Sequence, residues 1–292
     1  MLPAGLLIQA AEKILTINVH NCALMHYKKD RPMKIKNPIS ANTACLSRAC
    51  IPPYIVMALS GLMGSVSLAL FAVFLYTGLP SQMDFGLDDQ SKLYIDTLLC
   101  FLFFIQHSLM LRKGFRKRLS GFIPVNYLGA FYSIFSGLFL LILMLFWQKS
   151  ASIQVEFDGM LYWLMRALFF LSVTGFFFTV RYLQPFDALG IKEIFGHLKG
   201  ETVKESLLTV QGSYRWIRHP LYFLSLLMIW SQVSVTTDRL LFNGLWTFWI
   251  IIGAFLEERD LIASFGDAYR NYQRNVPMLI PRRRFPWNHH QQ

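Results

Sequence analysis

An all-α, polytopic membrane helix bundle of about five to six spans, with a cytoplasmic C-terminal segment, is predicted by three observations. Apolar runs of about 20 residues recur along the chain, the length that carries an α-helix across a hydrocarbon core. Charged residues make up 15% of the 292, against roughly 25% in soluble domains, while hydrophobic residues reach 54% and phenylalanine alone occurs 26 times. Segments between the apolar runs alternate between net positive and neutral or acidic, the pattern the positive-inside rule expects of a chain that weaves to and fro.

Residues 1–54 form an N-terminal extension ahead of a membrane domain over 55–292. Leu6 to Ile17 suits a short amphipathic helix at the interface. Lys28, Lys29, Arg31, Lys34 and Lys36 follow with no apolar period, so the segment reads as a surface tether and not as a signal peptide. Span one is expected over Ile55–Leu79, opened by Pro52 and Pro53, and span two over Leu93–Leu111, with Asp96, Gln106 and His107 inside it. The strongest positive block, Arg112 to Arg118, comes next. Span three is expected over Ile123–Trp147 and span four over Leu161–Val180, with Arg166 near its start, where it can pair with Asp96.

The stretch from Arg181 to Arg218 is too polar to span. Two shorter apolar segments follow, Leu221–Val235 and Leu240–Leu256. As one helix they would run about 50 Å at 1.5 Å per residue, so a membrane hairpin is expected instead. Six crossings with both termini in the cytoplasm then satisfy every loop, and the polar residues before and after the hairpin share the cytoplasmic face.

The net charge of +11 belongs to this topology and to anionic lipid, not to nucleic acid, because the basic residues cluster beside apolar spans. Cys22, Cys45, Cys50 and Cys100 show no metal spacing. No His-Glu-x-x-His pattern, phosphate-cradling loop or soluble-type glycine-rich cofactor turn is present, which argues against a metalloprotease, an ATPase or a Rossmann enzyme.

Chemistry concentrates at the hairpin. Gly212 to Tyr222 reads Gly-Ser-Tyr-Arg-Trp-Ile-Arg-His-Pro-Leu-Tyr. Pro220 suits the first position of a helix. It pushes His219 away from helical angles, and the free N–H groups of such a start attract a carboxylate. Tyr222, three residues on, projects near the same rim. At the other end of the hairpin stand Glu257, Glu258, Arg259 and Asp260. Buried carboxylates there need cations, from Arg215, Arg218, Arg259 or an ammonium-bearing ligand. An interfacial anchor held by an internal ion-pair network explains the same residues without a ligand.

The Gly212–Tyr222 run, Leu256 to Leu261, Phe265 to Tyr269, and Tyr272 with Val276 and Pro277 resemble the isoprenylcysteine carboxyl methyltransferase superfamily, which includes phospholipid methyltransferases and NnrU proteins. Further matches at Gln106 to Met110, Phe146 to Gln148, Leu189 to Lys192 and Val276 to Leu279 are most similar to the methanethiol S-methyltransferases within it. Ser213 departs from a frequent proline, and Phe223 from a position often small. The resemblance covers about residues 95–284 and implies S-adenosylmethionine as cofactor, in a core over 211–284. His219, Pro220, Tyr222, Glu257 and Glu258 would be its contacts. Arg259 and Tyr269 would be supporting or acceptor-side residues. A thiol acceptor reacts as thiolate, so Arg218, Arg259 or His107 is expected to assist catalysis, with Arg215 a further candidate. The acceptor, small or lipidic, would enter from the membrane. Small-thiol methylation leads, with a bacterial inner membrane as location. Carboxyl methylation of prenylcysteine and a non-catalytic protein of the NnrU or nurim kind are the alternatives.

Overall fold

The computed structural model describes residues 52–78, 83–181, 187, 189–200 and 210–281. The expectations for the N-terminal extension, for part of the polar stretch after span four (182–186, 188 and 201–209) and for Arg282 to Arg284 lie outside these residues.

Helix α1 (Pro53–Thr77) starts on a proline and stops at Gly78, whose φ of 63° lets its N–H close on the Phe74 carbonyl. Helix α2 (Asp89–Leu111) begins before its apolar run because the Asp88 carboxylate caps Ser91 N–H at 3.1 Å. A short basic helix, α3 (Lys113–Leu119), precedes a 3-10 turn at Val125–Tyr127 and then α4 (Leu128–Phe146). Strand β1 (Ile153–Glu156) leads into α5 (Gly159–Arg181), and α6 (Ile191–Leu198) lies across the bundle end. Asp187 caps α6, its two oxygens accepting from the N–H groups of Ile191 and Glu193 at 3.0 and 2.9 Å.

The hairpin is asymmetric. Its first leg, α7 (Pro220–Trp230), has 11 residues, so it rises only about 16 Å. Ser231 to Val233 complete the leg without helix and hand over to β2 (Ser234–Thr236). The return leg, α8 (Thr237–Phe265), has 29 residues, and α9 (Asp267–Asn275) folds back beneath it after Gly266. Five helices, α1, α2, α4 with its leading turn, α5 and α8, are long and apolar enough to cross a membrane, and α7 is a shorter apolar helix beside them. The one departure from all-α among the described residues is the antiparallel β1–β2 pair, which ties the α4–α5 loop to the hairpin turn.

That pair fixes which loops share an end. The far end carries β1, β2 and the α1–α2 loop, whose Phe85 N–H and Met83 carbonyl both bond the Gln148 side chain at 3.2 and 2.7 Å. The near end carries α3, α6, α9 and the start of α7. There the Ser60 hydroxyl donates to the Leu189 carbonyl. Gly190 lies so close to α4 that a Cβ would stand 2.0 Å from Ala130 N and 2.3 Å from Gly129 C.

With lipid outside, burial of apolar surface drives little, and shape-matched packing holds the helices together. Gly137 lets α4 approach the Met63 carbonyl of α1 to a distance no side chain allows. An aromatic core fills the centre. Phe71, Phe103 and Phe242 stack on Trp246 at 5.0, 5.3 and 4.9 Å, and Phe104 stacks on Trp249 at 4.6 Å. Each such pair is worth about 0.5–1.5 kcal/mol. The expected Asp96–Arg166 pair does not form. Asp96 instead accepts the Gln148 N–H at 2.8 Å, and Arg166 donates to the Tyr76 carbonyl at 2.8 Å while lying over the Tyr76 ring.

Candidate functional site

Pro220 opens α7, and His219 takes φ −121° and ψ 64°, outside the helix, as the following proline requires. Two backbone bonds hold this turn against the segment after α9. Arg218 N–H donates to the Pro277 carbonyl at 2.9 Å, and His219 N–H donates to the Met278 carbonyl at 3.0 Å. The Val276–Leu279 match of the sequence therefore forms the wall of the His219 turn.

Glu257 and Glu258 lie within α8, not at its end, because the helix continues to Phe265. Both are buried. Arg218 donates through Nε to Glu258 and through Nη1 to the carbonyls of Gln273 and Val276. Gln273 Nε2 donates to the other Glu258 oxygen at 2.8 Å, and His219 Nε2 stands 3.2 Å from Oε1. Glu258 is thus the knot that fastens the start of α7, helix α8 and helix α9 together.

Glu257 is placed differently. Its carboxylate lies 3.6 Å from His219 Nδ1 and bonds the Tyr222 hydroxyl. The Tyr222 ring stacks on His219 with centroids 5.2 Å apart. Among the described residues no lysine or arginine forms an ion pair with Glu257. Two carboxylates therefore share one permanent cation, and burying the second without a counter-charge costs several kcal/mol, on the order of the desolvation penalty of an ion. A proton on His219 or a cationic ligand would relieve it.

Beneath the cluster, Tyr272 donates its hydroxyl to the Tyr214 carbonyl at 2.7 Å and packs on Tyr269. Burial pushes all three phenols above the usual tyrosine range, and the nearby glutamates add to the shift at Tyr214 and Tyr269. Ser213 donates to the Thr179 hydroxyl at 3.1 Å, so the departure from proline gives a tie to α5.

One turn along α7 from Tyr222, Ser225 borders an apolar cavity of about 100 Å³. Phe103, Trp246, Trp249, Ser136 and His107 also line it. His107 bonds the Tyr132 hydroxyl through Nε2 at 2.6 Å, and its ring packs on Phe103 and Trp249. It therefore both links α2 to α4 and faces the cavity.

The structure brings together His219, Pro220, Tyr222, Glu257, Glu258 and Arg218, and places His107 on the cavity that Ser225, one turn from Tyr222, also borders. Arg259 is not brought in. It is exposed on α8 and makes no ion pair among the described residues. Arg218 is committed to three acceptors at once, which makes it a tie and not a spare charge. The sequence reading missed Gln273 and Tyr132. Gln273 sits in a polar helix whose composition singles nothing out. Tyr132 had a signal, since it begins a polar stripe with Ser133, Ser136 and Gly137 on an otherwise apolar helix.

No protein-family model and no solved structure matches the chain. Several characterised proteins do. Methanethiol S-methyltransferase 2 of Bradyrhizobium diazoefficiens is 32% identical over 227 residues, spanning 74% of this chain and 88% of the relative. Methanethiol S-methyltransferase 1 of the same organism is 33% identical, over 74% of this chain and 77% of its own. A more distant similarity, 31% identity over 38% of this chain and 48% of the relative, is to the protein-S-isoprenylcysteine O-methyltransferase of Schizosaccharomyces pombe.

Proposed function

The chain belongs to the methanethiol S-methyltransferase family, and from that premise we propose that it transfers the methyl group of S-adenosylmethionine to the sulfur of methanethiol or a similarly small thiol. The observation that carries this reading is the incompletely neutralised Glu257, held between His219 and Tyr222 beside a small apolar cavity. The donor set suits the cofactor, which is a zwitterion carrying a further positive charge. Glu257 and Glu258 offer the negative end, the N–H groups at the start of α7 and the His219–Pro220 turn offer the positive end, and the Tyr222 ring offers a π face to a sulfonium, worth about 0.5–2 kcal/mol.

When bound, S-adenosylmethionine supplies an electrophilic methyl group. The chain's own residues have three tasks. Arg218 and Gln273 keep Glu258 in place, and through it the α7 start, so Arg218 is a positioning residue. The aromatic cavity wall excludes water, which keeps a thiol from being solvated away from the reaction. A thiol must also lose its proton to become nucleophilic, and His107 is the titratable side chain lining the cavity. It takes that proton on a ring nitrogen while the Tyr132 hydroxyl holds the ring. Arg259, on the lipid or solvent side, has no part in this scheme.

The relatives that cover most of the chain are methanethiol S-methyltransferases, whereas the protein-S-isoprenylcysteine O-methyltransferase similarity covers 38% of it, which weighs against carboxyl methylation of prenylcysteine. The intact glutamate cluster weighs against a non-catalytic role. The near end carries Arg112, Lys113, Arg116, Lys117 and Arg118. That charge supports a cytoplasmic site and cytoplasmic termini, and the bacterial relatives support an inner-membrane location. The catalytic unit is residues 55–292, with its cofactor core in 211–284. The test is to supply membranes carrying the protein with methyl-labelled S-adenosylmethionine and methanethiol. Labelled dimethyl sulfide in the headspace supports the reading. Label on a prenylcysteine acceptor, with none in the headspace, replaces it.

A further inference from the structure

His219 is wedged between two buried carboxylates. Its Nδ1 stands 3.6 Å from Glu257 Oε2 and its Nε2 3.2 Å from Glu258 Oε1, with the side chain only 4% exposed. A neutral imidazole has one N–H and one bare nitrogen, so it would turn a lone pair toward one of these anions. Only the imidazolium presents a proton to both. The ring has little freedom to turn away, because it stacks on Tyr222 and the His219 N–H is bound to the Met278 carbonyl at 3.0 Å.

The other titratable groups around the ring do not supply the missing charge. Arg218 is fastened to Glu258 and to two carbonyls. Tyr222 bonds Glu257. Tyr214, from the turn before α7, and Tyr269 and Tyr272, from α9, have phenols raised by burial, so they stay uncharged where histidine titrates. Asp260, further along α8, adds negative potential at Glu257. Summed over Arg218, His219, Glu257 and Glu258, the cluster is neutral with an imidazolium and has an uncompensated negative charge with a neutral ring. Such a charge is costly to bury.

We propose that His219 carries a proton that it exchanges for the positive charge of the methyl donor. This rests on the reading that S-adenosylmethionine lies against Glu257. Before the cofactor binds, the imidazolium is the counter-charge of Glu257. As the net positive charge of the cofactor arrives, His219 keeps the buried cluster neutral by releasing a proton from a ring nitrogen to solvent at the near end. S-adenosylhomocysteine, the product of methyl transfer, has lost the sulfonium charge and leaves the imidazolium in place. The site thus tells the donor from its product by charge, and does so more strongly as pH rises. The sign follows from linkage. A ligand that favours the deprotonated ring gains affinity with rising pH, by up to about tenfold per pH unit, until the free site is itself deprotonated.

The test uses the purified full chain in detergent micelles. Binding of S-adenosylmethionine and of S-adenosylhomocysteine is measured by calorimetry in two buffers of different ionisation heat, between about pH 5.5 and 7.5, below the range in which an α-amino group titrates. About 0.5–1 proton should leave per S-adenosylmethionine bound and less than about 0.2 per S-adenosylhomocysteine, with affinity climbing with pH for the first ligand and level for the second. In chain carrying isotope-labelled histidine, one ring C–H resonance should move from the imidazolium to the imidazole position when the donor is added. His219→Gln should bind the donor without proton release, and the wild-type contrast between the two ligands stands even where that variant fails to fold. Donor binding without proton release, equal release by both ligands, or release that persists in His219→Gln and so comes from Glu257, overturns the proposal and leaves the cofactor site in place. A folded wild-type chain that binds no S-adenosylmethionine overturns the cofactor assignment itself, and this proposal with it.

Discussion

Replacing Glu258 with glutamine tests whether the knot at the near end is real. The wild-type carboxylate receives Arg218 and Gln273 and faces His219, and the Arg218 and Glu258 side chains are each only 10% exposed. Removing one partner of a buried ion pair leaves the other charge uncompensated, at a cost of roughly 3–5 kcal/mol. The amide still accepts one hydrogen bond from Arg218, so Glu258→Gln belongs near the lower figure, about 3 kcal/mol, against a net stability on the order of 5–15 kcal/mol. Arg218→Met should cost a similar amount, because it also orphans the carbonyls of Gln273 and Val276. The double variant should cost less than the sum by at least about 1 kcal/mol, since residues in one network couple. Denaturant unfolding in mixed micelles, run as a double-mutant cycle, measures this term. Additive losses, within about 0.5 kcal/mol, would refute the knot and leave Arg218 free for some other task.

Other consequences can be checked more briefly. Gly190→Ala places a Cβ against the backbone of Gly129 and Ala130 at a residue with φ of 67°. It should lose about 2–4 kcal/mol or fail to assemble, read as a lowered melting temperature. His107→Phe keeps the ring packing but removes the base. Its kcat should fall about 100-fold or more while cofactor affinity is kept, and the loss should shrink as pH rises and the thiol ionises unaided. An equal loss at all pH values would assign His107 to packing alone. Tyr214, Tyr269 and Tyr272 have phenols raised by burial, so the unfolded chain releases their protons near pH 10, before the folded protein does. Stability is therefore full below that pH and declines above it, and phenolate absorbance should appear together with unfolding and not ahead of it.

Much of this architecture could be read from hydropathy, because a membrane makes long apolar runs unambiguous. The runs beginning at Ile55, Leu93 and Leu161 all became helices, with their starts moved by local chemistry that hydropathy does not register, such as the Asp88 cap. The hairpin was legible as a length argument, but its short first leg was not. Ser231 and Gln232 are two polar residues in an apolar run, and hydropathy does not register that the helix ends at Trp230 ahead of the β2 strand paired with β1. The turn at His219–Pro220 followed from the proline alone. Juxtaposition was the hard part. Whether Arg218 or Arg259 meets the glutamates depends on which side of α8 faces α9. Consecutive charged residues on one helix give no hint of that without the packing. His107 left two roles open in the sequence, and the structure gives it both contacts, a bond to Tyr132 and a place on the cavity wall.

Binding of S-adenosylmethionine to purified Glu257→Gln, measured by calorimetry beside the wild type, addresses the whole scheme most directly. The variant should insert and fold, because the amide oxygen can still accept from the Tyr222 hydroxyl, yet its affinity for the cofactor should drop by about 100-fold or more with the loss of a buried countercharge. Wild-type affinity in a well-folded Glu257→Gln protein would mean that the Glu257 carboxylate serves another purpose and that the methyl donor sits elsewhere.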